Sequence, residues 1–152
     1  MDLYNQNKNF NELIRRLFNA EKWEERANAA LELGYLRDTR ATNLLIKALN
    51  KEQDESVLNR IVEALGRLRD PKATIPLIRF LKKNIDIEEP NEDLIFVIIE
   101  SLMSLGDKRA LIELGLIMES CNAEIRGLTE DTLDCIDIHW RENLKRLLKD
   151  KQ

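Results

Sequence analysis

Turn-forming residues are scarce in this chain: five glycines and three prolines in 152 residues leave little of the punctuation that hairpins and sheets need. Two cysteines, Cys121 and Cys135, are too few for a disulfide framework and suit a reducing compartment. One histidine, His139, cannot build a multi-histidine metal centre. The longest uninterrupted apolar run, Leu94 to Ile99, falls far short of the roughly 20 residues that a membrane helix requires. Positive charge is not in excess either: the net charge of −4 disfavours a nucleic-acid partner held by bulk charge, although local basic patches remain open. No Gly-rich phosphate loop and no nucleophile elbow occurs. Met1 to Asn11 lacks the charged-then-apolar pattern of a signal peptide, so the protein is expected to be soluble, cytoplasmic and free of cofactor.

What the chain does have is an echo. Leu13, Leu45, Leu77 and Leu114 recur at intervals of 32, 32 and 37, followed by Leu17, Leu49, Leu81 and Met118. Ala41, Ala73 and Ala110 follow Asp38, Asp70 and Asp107 at the same spacing. Apolar residues keep a 3.6-residue period almost throughout, and a helical unit repeated at this interval is a stacked solenoid. The chain is long enough for one domain (1–152), in which folding removes about two-thirds of the extended-chain surface from water. It divides into a half-repeat at 9–20 and helix pairs at 22–50, 54–83, 91–120 and 122–150. Within a pair, Asp-Pro at 70–71 marks the turn, because Asp accepts from free helix N–H groups and Pro tolerates the first helical position. Asp38 and Asp107 should cap in the same way. The buried stripe of the first helices reads Leu33, Leu65, Leu102 and Leu133, then Leu36, Leu68, Leu105 and Ile136. The longer third interval places an acidic loop with Ile85, Ile87 and Pro90 at 83–92.

The stretches Trp23 to Asp38 and Val57 to Ala73 resemble HEAT-like repeats of the phycobilisome-lyase type, whose pattern is V-R-x-x-A-A-x-A-L-G-x-L-G-D-x-x-A. Arg26 and Arg126 match the pattern's Arg, whereas Leu58 and Ile95 replace it. Gly34 and Gly66 give way to Met103 and Asp134 in later units, and Ile138 stands where the last turn Asp should be. The resemblance implies an all-α, right-handed α-α superhelix of about four helix pairs plus an N-terminal helix, with second helices lining a concave surface.

On that surface Arg15, Lys47 and Arg79 share one column, which ends at Leu116, while Phe80 and Ile117 stand in the next. Two readings stand: a solvated charged face with Phe80 and Ile117 in the core, or a groove for an acidic, partly apolar partner segment. The turns carry Arg37, Arg40, Arg69, Lys72 and Arg109, and the connections between units carry Glu52, Asp54, Glu88 and Glu92, so one edge should be basic and the other acidic. The basic edge is either a functional electrostatic surface or a set of cations paired with the turn Asp residues. Phe96 and Val97 form an apolar patch that either the 83–92 loop covers or self-association through the third repeat buries. Cys135 and His139, with Asp134 and Asp137 nearby, have the i, i+4 spacing of one helix face, a weak metal or thiolate signal against a structural cap.

The residues point to a non-catalytic protein-interaction scaffold. The resemblance leaves a bilin lyase or isomerase-like subunit, or an assembly factor, as the enzyme-class alternative, and the basic edge leaves nucleic-acid binding as a weaker one. Deoxyhypusine hydroxylases also have HEAT-like repeats but hold two irons with several His-Glu pairs, which one histidine excludes. HEAT-like DNA-repair glycosylases need a basic channel with aromatic residues, and Trp23 and Trp140 lie at opposite ends of the sequence.

Overall fold

The computed structural model describes residues 2–120 and 123–150, and Cys121 lies outside them. All regular structure among these residues is helical, as the 3.6-residue period predicts. Two compact units divide the chain, Met1–Ala73 and Thr74–Gln152. The first holds α1 (Leu3–Asn19), α2 (Trp23–Leu36), α3 (Thr42–Leu49) and α4 (Glu55–Leu68). The second holds α5 (Thr74–Ile85), α6 (Glu92–Leu105), α7 (Leu111–Ser120), α8 (Ala123–Ile136) and α9 (Trp140–Lys149). Within the first unit α2 packs on α1 and α4, and α3 packs on α4; within the second, α6 packs on α5 and α8, and α7 packs on α8 and α9.

The recurring Asp closes each turn twice. The side chains of Asp38, Asp70 and Asp107 accept the N–H two residues on, at 3.0, 3.1 and 3.0 Å. Their backbone carbonyls accept the N–H of Ala41, Ala73 and Ala110 at 3.0, 2.9 and 3.0 Å. Each turn is a three-residue 3₁₀ segment running directly into the second helix, and the alanine at its end is fully buried. The residue before each Asp is left-handed, with φ of 52° at Arg37 and Arg69 and 63° at Gly106.

The leucine columns form the cores. Leu13, Leu45, Leu77 and Leu114 are at most 1 % exposed, and Leu33, Leu65, Leu102 and Leu133 are likewise buried. Each such side chain stabilises by about 1.5 to 3 kcal/mol when removed from water. The stripe is not uniform, however. Leu68 is buried, but Leu36, at the equivalent position of α2, is 46 % exposed. Asp2 caps α1 by accepting from the Tyr4 N–H, so that helix starts ahead of the half-repeat expected at 9–20.

The last turn departs from expectation in a useful way. Ile138 is 80 % exposed at the tip of the turn and does not cap it; Asp137, one residue earlier, accepts from the His139 N–H at 3.0 Å and from Asn143 Nδ2 at 2.6 Å. Asn143 and the His139 N–H hold its carboxyl below the usual carboxylate range.

Candidate partner-binding site

In the first unit the C-terminal ends of α1 and α3 enclose a cleft of about 460 Å³. Its apolar wall is the half-buried Phe18 with buried Leu17 and Ala48, and Lys47 lies with its Nζ 5.9 Å from the Phe18 ring centroid. That separation lets ammonium and ring face attract. Lys51, in the turn that follows α3, adds a second exposed cation. Neither lysine has an ion-pair partner among the described residues.

One side of the cleft is locked. Arg26, at the start of α2, donates to both Glu52 oxygens at 2.8 and 3.2 Å and to the carbonyls of Ala20 and Glu21 at 3.0 Å each. The pair is mostly buried, with 19 % and 12 % of the two side chains exposed. Burial alone pushes the Glu52 carboxyl up, but Arg26 and the N–H groups of Asp54 and Gln53 outweigh it and hold the group below its ordinary value. A guanidinium fork filled on every side by oxygens ties the α1–α2 connection to the α3–α4 connection, and the cleft mouth is thereby fixed. Sequence reading misses this pair, placing Glu52 merely on an acidic edge.

Arg15 does not join Lys47 in this cleft. It grips Glu12, one turn back on α1, through Nε and Nη2 at 2.9 and 2.6 Å, and lines a separate shallow surface with Tyr4, Asn7 and Lys8. The bond raises the Arg15 pKa and lowers that of Glu12.

In the second unit Arg79 is exposed, Phe80 is half-buried and Leu116 is 48 % exposed. Ile117 corrects the groove reading: at 5 % exposure it belongs to the core and cannot receive a partner's side chain. The helix turn that puts Leu114 inside brings Ile117, three residues on, to the same face. Lys82 bridges α5 to α7 through Glu113 at 3.2 Å.

The basic edge splits between the two readings. Arg40 and Arg109 each clasp their own turn carboxylate, Asp38 and Asp107, at 2.5 Å, and Arg40 also lies 4.6 Å over Phe10. The Arg109 side chain, and secondarily the Arg109 N–H and the Thr74 hydroxyl, lower Asp107 to about 2. Lys108 reaches Asp137 at 3.5 Å. Arg37, Arg69 and Lys72 are exposed and have no ion pair among the described residues.

Phe96 and Val97 are half-buried rather than bare, while Ile87 of the preceding loop is 49 % exposed and Ile85 half-buried. Cys135 and His139 do not share a helix face, because α8 ends at Ile136 and His139 opens α9. Asp134 is engaged by the Trp140 indole N–H at 2.7 Å, and among the described residues no three His, Cys, Asp or Glu side chains cluster as a metal site would need. No helix among them is long and apolar enough to cross a membrane.

The sequence model of the HEAT repeats matches residues 10–88 of this chain. No curated protein matches it.

Proposed function

The chain belongs to the HEAT-repeat family, whose repeats generally build protein-interaction scaffolds and typically carry no catalysis, and from that premise we propose that it binds an acidic, partly apolar segment of a partner protein. The observation that carries this reading is the cleft of the first unit, where Lys47 and Lys51 stay unpaired beside the Phe18 ring while Arg26 and Arg15 are consumed by internal carboxylates. Two cations without carboxylate partners in a cleft with an aromatic wall suit a carboxylate followed by an apolar side chain. A cleft held open by the Arg26–Glu52 pair binds with little ordering loss, and charge steers the segment into register. In the second unit Arg79, Phe80 and Leu116 offer the same combination of one exposed cation and apolar surface. No arrangement among the described residues supports the lyase-subunit alternative.

The test is capture of native partners by the wild type beside a Lys47→Glu, Lys51→Glu double variant. The double variant should lose the partner, and wild-type capture should weaken as salt rises from low to physiological concentration. Equal capture by the two proteins would overturn the reading.

A further inference from the structure

The three left-handed turn residues hold nearly the same backbone angles, φ 52° and ψ 30° at Arg37, 52° and 29° at Arg69, and 63° and 23° at Gly106. Each ends a first helix by donating its N–H to the carbonyl three residues back, at 3.3, 3.3 and 3.1 Å. Glycine reaches this conformation freely; a residue with a Cβ is strained in it. Gly106 shows that the turn needs no side chain, and a Cβ built there would meet nothing within 4 Å. Two arginines therefore stand where the fold favours glycine.

Their side chains give the first unit nothing visible in return. Both are exposed, and among the described residues neither makes an ion pair, side-chain hydrogen bond or ring contact. Neighbouring arginines behave differently: Arg40 clasps Asp38, and Arg67 bonds Glu63 and lies 4.6 Å over Tyr35. Lys72 adds a third unpaired cation to the same edge. Of the carboxylates there, Asp38 is taken by Arg40 and Asp70 is 9 % exposed, with its Oδ1 on the Lys72 N–H. Strain kept at exposed positions, twice and with the same residue, marks a surface shaped by something other than folding.

We infer that the Arg37–Arg69 edge of the first unit is a docking surface for an extended acidic segment of a partner protein. The guanidinium fork matches a carboxylate in two parallel hydrogen bonds. The two arginines end α2 and α4, which pack on each other, so they stand about 10 Å apart. An extended chain in the polyproline-II conformation advances about 3.1 Å per residue and returns to the same face every third residue, so carboxylates at positions i and i+3 span the pair. The surface is separate from the Lys47–Lys51 cleft and shares with the proposed function only the class of partner.

The experiment titrates the full chain with a fluorescein-labelled peptide bearing glutamates at every third position, read by anisotropy at low salt. Arg37→Gly, Arg69→Gly should weaken binding by about tenfold or more, as loss of two charge-assisted contacts implies. Its melting temperature should stay level or rise. The Lys variants at the same two positions should bind with intermediate affinity, having charge without the fork. Binding within about twofold of wild type overturns the inference, as does a fall in melting temperature, which would make the arginines structural. No binding by the wild type, or tighter binding of a single-stranded oligonucleotide of equal charge, overturns it too. The Lys47→Glu, Lys51→Glu variant distinguishes the two surfaces: if it alone loses the peptide, the cleft stands and the edge falls.

Discussion

The α2–α4 layer of the first unit and the α6–α8 layer of the second hold the same place in the repeat and are filled by opposite means. In α2 the inward residues are Ala29, Ala30, Leu33 and Gly34; in α6 the equivalent ones are Ile98, Ile99, Leu102 and Met103. A Cβ on Gly34 would lie 2.8 Å from the Ala64 Cα, so here backbone meets backbone. In α6 the isoleucines are fully buried and Met103 is half-buried, so side-chain volume fills the layer instead. The polar closures differ too. Where the first unit uses Arg26 and Glu52, the corresponding position in α6 is the fully buried Ile95. One turn geometry thus tolerates two kinds of core, and the repeat's identity resides in its turns more than in its packing.

The sharpest way to break this comparison is Gly34→Ala. The neighbour that must yield is backbone, so the variant should lose about 2 to 3 kcal/mol in urea unfolding, while Met103→Ala, partly open to solvent, should lose about 1 kcal/mol. Equal losses would mean that the two layers pack alike.

Next in size is an acid effect at the second unit's turn. Asp107 falls from an ordinary 3.8 to about 2 in the folded protein. A depressed carboxylate stabilises above its unfolded pKa and loses that contribution as pH falls through the folded value, so stability should drop by about 2 kcal/mol between pH 4 and pH 2. Asp107→Asn keeps a capping oxygen but removes the titration, and a pH series of unfolding curves should show that this variant lacks that part of the acid limb. Identical acid limbs in the two proteins would contradict the assignment.

The smallest effect compares two threonines at equivalent positions. The Thr74 hydroxyl donates to Asp107 Oδ2 at 2.9 Å; the Thr42 hydroxyl, in the first unit, is buried without a hydrogen-bond partner among the described residues. Thr74→Val should therefore cost about 1 kcal/mol, and Thr42→Val should be neutral or stabilising by a similar amount, measured as shifts in the denaturation midpoint. A matching loss at both sites would show that Thr42 has found a partner.

The helices, the leucine columns and the turn Asp residues were legible in the sequence because each is a local or strictly periodic signal. Asp38, Asp70 and Asp107 act within three residues of themselves. The side chains that escaped depend on distance along the chain or on neighbours at an edge. Arg26 and Glu52 meet across twenty-six residues, Leu36 is exposed where its equivalent Leu68 is buried, and Ile117 turns inward with Leu114. Arg15 was legible as a cation but not as one already held by Glu12, since i, i+3 spacing permits a bond without requiring it. Cys135 and His139 looked like neighbours on one helix until Asp137 ended it between them. The candidate site was thus readable as a column of residue types and not as a set of free groups.

The buried alanines that end the turns carry a consequence for how such a chain can change length. Ala41 and Ala73 sit at the same point of successive reversals, each donating its N–H to the carbonyl of an aspartate three positions earlier. A duplication or excision bounded by these two residues would splice like onto like, leaving the phase of every later helix undisturbed, whereas a cut out of the 32-residue register would shift polar side chains into the interior. Those alanines are the natural seams along which the protein can be shortened or extended by whole steps.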